Sequence, residues 1–200
     1  MPENTTPARA PRRRRADADR SVAAILDAAL DALAGDPAAS MSEIARRAGV
    51  VRATIYVHFP TRESLLDAVM DHAITQVAQA MAAVEPGRGT PSEALGRVLS
   101  ATWRELDRFQ ALVTINTSRL SPKELHDRHV PVLEQLVPLI QRGQKAGEFR
   151  DDAPIAWHLS MILAIVHAAS GELQSGRIST DEVEPQMLTT VLAAIGRPTR

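Results

Sequence analysis

SMSEIARRAGVVRATIYVHFPTRESLL, residues Ser40 to Leu66, reads as two short helices in close succession and the start of a longer third. Ser40 and Glu43, three apart, form a capping-box pair that satisfies orphan amides at a helix start. Ile44, Ala45 and Ala48 make an inward stripe that leaves Arg46 and Arg47 outward. Gly49 ends the helix, because a left-handed residue there is cheap only for glycine. Val50 is placed to plug the angle that follows. A second helix, over about Arg52 to Phe59, sets Ile55 and Phe59 on one face and Arg52, Thr54, Tyr56 and His58 on the other. Pro60 halts it; Thr61 is the N-cap of the next, with Arg62 and Glu63 in its first turn. Such a pair presents its second helix at the width of the DNA major groove, with polar side chains able to bond phosphates or base edges.

These residues resemble the N-terminal domain of the TetR family of transcriptional repressors. The family pattern runs Ile-Ala, Ala-Gly-Val, Thr-(Leu/Ile)-Tyr-x-His-Phe, then Lys or Arg followed by Glu and two leucines. This chain has Ile44-Ala45, Ala48-Gly49-Val50, Thr54-Ile55-Tyr56-Val57-His58-Phe59 and Arg62-Glu63-Ser64-Leu65-Leu66. With the helix before it, the resemblance spans roughly residues 20 to 70 without gaps. Two positions depart. Val51 stands where the family usually has Ser or Thr, so a side-chain cap and one phosphate contact are missing. Arg62 replaces the commoner lysine, keeping the charge and changing the donor geometry.

The resemblance implies an all-α chain, with an N-terminal three-helix helix-turn-helix DNA-binding domain and a C-terminal helical bundle for ligand binding and dimerisation. Within it, Arg52 and Thr54 are expected at base edges or an adjacent phosphate. Tyr56, His58, Thr61 and Arg62 are expected on phosphates, with Ser40 at another helix N-terminus. The implied partners are a double-stranded operator, a second copy of the chain and an unidentified small-molecule effector.

The rest of the chain fits this outline. Two hundred residues allow a small head and one larger domain, divided here as a basic arm 1–18, a head 19–66 and an effector-binding and dimerisation domain 67–197. The hydrophobic share of 44% supports a real core, and with no cysteine a disulfide framework and a thiolate metal site are excluded. No apolar run approaches a membrane span and no signal-peptide core follows the first arginines, so a soluble, cytoplasmic protein without a membrane partner is expected. Net charge is only −1, but residues 9–20 hold six arginines against two aspartates, including Arg12 to Arg15. This arm is too polar to pack and is expected to be disordered without a partner. It serves either as a salt-dependent DNA contact or as a solubilising tail.

Helical periodicity runs nearly throughout. A first helix over about Asp19 to Leu33 turns Val22, Ile25, Leu26, Ala29 and Leu33 inward. A long helix from about Arg62 to Val84 begins in the head and ends elsewhere. Thr90-Pro91-Ser92-Glu93 opens another, and Ser121-Pro122-Lys123-Glu124 a short piece. A further helix from Pro131 to Ala146 is bent at Pro138. Between Ala153 and Ser175, Ile155, Leu159, Ile162, Val166, Ala169 and Leu173 recur in alternating steps of four and three, and the other side is apolar too. A helix apolar on two sides must be covered on two. The expectation is that this seam, with Leu188, Val191 and Ile195 of a last helix capped by Thr180, meets a symmetry mate in a four-helix interface. A buried hairpin within a monomer is the alternative.

For an effector cavity between the middle helices, Met81, Trp103, Phe109, Leu112, Asn116, Leu136 and Met161 are the candidates, with Thr102 and Asn116 to orient a polar group. Taken singly, each reads first as an ordinary core residue. His126 and His129 have the three-residue spacing of a metal pair, beside Glu124 and Asp127, but Pro131 interrupts the region and no metal or cofactor is assigned. There is no phosphate loop, no Gly-x-Ser-x-Gly elbow and no His-Glu-x-x-His, so no enzyme is expected. The competing reading is a helical small-molecule-binding protein or enzyme without sequence-specific DNA binding.

Overall fold

The computed structural model of the chain describes residues 11–197. Among them every extended element is a helix: α1 (Pro11–Gly35), α2 (Met41–Arg47), α3 (Arg52–His58), α4 (Arg62–Ala83), α5 (Pro91–Arg108), α6 (Gln110–Arg119), α7 (Pro122–Lys145), α8 (Ile155–Gln174) and α9 (Thr180–Ile195). Two compact units divide between Val69 and Met70, three residues past the boundary expected at 66. The reason lies in α4, whose Leu65, Leu66 and Val69 are all buried and belong to the first unit.

In the first unit α1 packs on α2 and α2 on α3. Ile25, Ala29, Ile44 and Ile55 have no exposed surface, and Leu33 almost none. Gly49 sits at φ +66 between α2 and α3, where an L side chain is strained. The helix α1 starts at Pro11 rather than near Asp19. Arginine and alanine are good helix formers, and proline is tolerated at a first helical position, so the basic run extends the helix backwards. The rest of the expected disordered arm, residues 1–10, lies outside the described residues.

The second unit is closed by local devices. Reciprocal capping boxes open α5 (Thr90 with Glu93) and α7 (Ser121 with Glu124). The last helix is capped by Ser179 with Glu182, one residue before the expected Thr180. The Glu148 carboxylate accepts from both the backbone N–H (2.9 Å) and the hydroxyl (2.7 Å) of Ser92 at the start of α5. Phe149 is buried on Gly143, where a Cβ would come within 2.0 Å of its ring. The same loop pairs with the end of α9 through Arg150 N–H to Ile195 O and Arg197 N–H to Glu148 O, both 2.9 Å.

Two expectations are corrected. The helix α7 is one element that passes through both Pro131 and Pro138. The two prolines are exposed and two turns apart, so each removes one hydrogen bond at the surface of the helix without ending it. And α8 is long and apolar enough to cross a membrane, with a mean hydropathy of 1.2, although no such run was expected. In this fold it packs against α7 and α9, with Leu159, Ile162 and Val166 buried.

Candidate functional site

The head holds α3 by one face. Ile55 is fully buried and Phe59 is 7% exposed, leaving Arg52, Ala53, Tyr56 and Val57 exposed and Thr54 and His58 half-buried at the flanks. The guanidinium of Arg52 lies 5.4 Å from the Tyr56 ring centroid, so the two form a stacked donor pair on one side of the helix. Val51 is the N-cap of α3 and makes no side-chain cap hydrogen bond, as its departure from the family pattern anticipates. Ala53 and Val57 were missed as outward-facing; the sequence signal was there in their spacing of four, opposite Ile55.

Around α3, the Ser40 hydroxyl accepts from the Glu43 N–H at 3.2 Å and caps α2. Only half of the expected box forms, because the Glu43 carboxylate turns to Arg46 (2.7 Å) and Arg47 (2.9 Å). These two guanidiniums hold its pKa down at about 2. Thr61 caps α4, its Oγ1 accepting from Ser64 N–H at 3.0 Å while the Ser64 hydroxyl accepts from Thr61 N–H at 3.2 Å. The Arg62 guanidinium donates to the carbonyls of Ala39 and Pro37. These bonds give Arg62 a structural task inside the head and use two of its five N–H donors.

The second unit encloses a cavity with about 860 Å³ of atom-free space, its open mouth included. Met81, Phe109, Leu112, Asn116 and Leu136 line it, as does Thr102. Trp103 and Met161 do not: Trp103 is buried in the core away from the cavity wall, and Ile162, one residue on, turns inward in place of Met161. No Asp, Glu, Lys or Arg is among the described lining residues.

Asn116 is 2% exposed and its Oδ1 accepts from the Arg119 guanidinium at 3.2 Å, which leaves its amide N–H groups as donors. His129 and His167 also line the wall, edge to face with ring centroids 5.3 Å apart. His129 Nδ1 lies 2.7 Å from the Leu125 carbonyl and therefore carries the proton, leaving Nε2 as an acceptor. Burial pushes both imidazoles below their ordinary value, and repulsion from His129 adds to burial in taking His167 to about 4. Both are neutral near pH 7. Each histidine was visible in the sequence; their pairing needs α7 against α8. His126, the other half of the metal spacing, is exposed, and no metal-binding cluster forms among the described residues.

Residues 25–69, the head itself, match the bacterial regulatory proteins of the tetR family. Its head is similar to the TetR-family DNA-binding domain. The chain is 28% identical over 171 residues to the HTH-type transcriptional regulator NfxB of Pseudomonas aeruginosa, covering 84% of this chain and 91% of the relative. It is 28% identical over 177 residues to the HTH-type transcriptional repressor LfrR of Mycolicibacterium smegmatis, covering 88% and 91%. The crystal structure of LfrR from Mycobacterium smegmatis in complex with proflavine matches at a TM-score of 0.66 and 25% identity, covering 88% of this chain and 97% of that one.

The expected dimer seam is turned partly into the chain's own bundle. Leu159, Ile162, Val166, Val191 and Ile195 are buried within their own chain, and Ile155, Ala169, Leu173 and Leu188 are half-buried. The exposed face of α8 instead carries Ala156, Trp157, Ser160, Ala164, Ala168 and Gly171, with Trp157 58% exposed. Periodicity shows that α8 has two apolar faces without showing which one its own bundle takes.

Proposed function

We propose that this chain is a TetR-family transcriptional repressor that binds a two-fold symmetric operator as a homodimer and is released by a small molecule in the cavity of its second unit. The observation that carries this is the division of labour on α3: one face is locked into the head core by Ile55 and Phe59, and the other is presented outward with Arg52, Thr54, Tyr56 and His58 around it. Arg52 and Thr54 reach base edges or an adjacent phosphate, Tyr56, His58 and Thr61 hold phosphates, and Ser40 does so at the start of α2. Dimerisation through the exposed face of α8 brings two heads to one operator, whose half-sites lie roughly 34–36 Å, or a multiple of it, apart.

The effector reading is supported by the proflavine complex of LfrR and by the wall chemistry here. An apolar cavity with no ionised side chain among its described lining residues suits a mostly apolar, uncharged molecule, since an unpaired charge there loses its hydration without compensation. Asn116 and His129 would supply one donor and one acceptor to orient it. One continuous helix, α4, gives Leu65 and Val69 to the head unit and Met70, Val77 and Met81 to the cavity wall, so a ligand that shifts α4 acts on the head. A preference of about 10⁴-fold for the DNA-incompetent form, roughly 5.5 kcal/mol, is enough for full release. The relatives are transcriptional regulators; accordingly no catalytic role and no cofactor is assigned, and the cytoplasm, where the chromosome lies, is the proposed location.

The test is capture of genomic DNA fragments by the purified protein, followed by a footprint on what is recovered. A discrete two-fold symmetric footprint, weakening steeply with salt, is expected. A folded protein that enriches no fragment even at low salt sinks this reading in favour of a cavity-centred binding protein.

A further inference from the structure

Wound at about 100° per residue, α3 places Ala53 and Val57 at about 160° and 200° from Ile55, astride the pole opposite the buried one. Arg52 and Tyr56 flank that pole on one side and Thr54 and His58 on the other. The residue at the centre of the presented face is therefore an aliphatic one. Val57 is 77% exposed, more than any other large apolar side chain among the described residues. Exposed valines scattered over a surface are ordinary. This one is the outermost side chain of the helix that reads DNA, ringed by four polar residues.

The chemistry of the groove narrows what it can meet. Every base-pair edge in the major groove carries hydrogen-bonding groups, and the one apolar feature is the C5-methyl of thymine. Valine neither donates nor accepts, so against any other base edge it would strip water from polar groups and give nothing back. Ala53, one turn earlier, extends the same strip by about 6 Å along the helix axis. We propose that Val57, with Ala53 beside it, reads thymine: its isopropyl group packs on a thymine methyl in each half-site while the polar flanks bond neighbouring base edges and phosphates.

This rests on the DNA-reading role of α3, and the experiment separates the two. The operator is first selected by the wild-type protein from a random-sequence duplex library. Each thymine is then replaced singly by deoxyuridine, which removes only the methyl group, and affinities are measured by fluorescence anisotropy at one salt concentration. At one or two thymines per half-site, deoxyuridine should weaken wild-type binding about fourfold, the effect of unburying one methyl. Val57→Ala should bind the thymine and deoxyuridine operators alike at those positions, and Val57→Ile should keep the discrimination. Val57 is exposed, so neither variant disturbs the core. A wild-type protein indifferent to deoxyuridine at every thymine overturns the proposal, as does discrimination that persists in Val57→Ala. If the folded wild type selects no sequence at all, the DNA-reading role of α3 falls and the proposal with it.

Discussion

Arg62, at the start of α4, donates to the Pro37 carbonyl at 2.8 Å and to the neighbouring Ala39 carbonyl, tying that helix to the loop immediately before Ser40 and α2. A planar fork spans two carbonyls at once, which the single ammonium of lysine does not. Replacing it with methionine should cost about 2 kcal/mol of stability, the range for hydrogen bonds from charged donors, and should weaken operator binding by loosening the placement of α2. The discriminating readout is the slope of log affinity against log salt. It should match the wild type, whereas loss of a phosphate contact would lower it by about one.

The Tyr56 hydroxyl accepts from the Arg52 guanidinium at 3.5 Å and keeps its own O–H to donate, while its ring rests beside that guanidinium, 5.4 Å from centroid to charge. Tyr56→Phe removes the hydroxyl and keeps the stack. Operator affinity should fall about fivefold, one net hydrogen bond, with the selected sequence logo unchanged because a phosphate carries no base information. Unaltered affinity would remove Tyr56 from the contact set.

What was legible in the sequence was local. Caps, the Gly49 turn and the four-residue spacing of Ile55 and Phe59 act over one or two turns, so the head can be read from a single stretch. The residues that escaped depend on partners distant in the chain. The structural bonds of Arg62 escaped because its acceptors lie 23 and 25 residues upstream. The spacing of Met161 and Ile162 does not tell which of them enters a cavity built by four other helices. Pro131 was read as a break because helix rules weigh the lost hydrogen bond and cannot see that the proline lies on the exposed side of a continuous helix. Val57 escaped for another reason: attention to polar, base-bonding residues passes over an aliphatic one at the pole of the helix.

The contact between His129 and His167 has a signature in acid. The folded value of His167, about 4, lies below the ordinary 6.5, so between these the unfolded chain binds more protons. Its contribution to stability is complete above about pH 6.5 and is lost as pH falls toward 4, at a limiting rate of about 1.4 kcal/mol per pH unit. His129, also shifted down by burial, acts in the same direction. His167→Phe, similar in volume and uncharged, should flatten this part of the profile. Urea midpoints at pH 7.5, 6 and 5 check it; equal acid slopes in variant and wild type would mean the imidazole is not the group responsible.

The two faces of α8 make opposite predictions, and a pair of substitutions separates them. Leu159 is 9% exposed and packed within its own chain, so Leu159→Ala should cost about 2–5 kcal/mol through the cavity it leaves while the remaining folded protein keeps its association state. Trp157 is 58% exposed. Trp157→Glu should leave the fold of the single chain intact and, by setting like charges across a two-fold axis, drive the dimer to monomer in light scattering. Operator affinity should collapse with it, because one head alone engages one half-site. Should Trp157→Glu remain dimeric while Leu159→Ala dissociates, the seam read from periodicity would be the interface after all, and the burial of Leu159, Ile162 and Val166 would have to be rearranged on association.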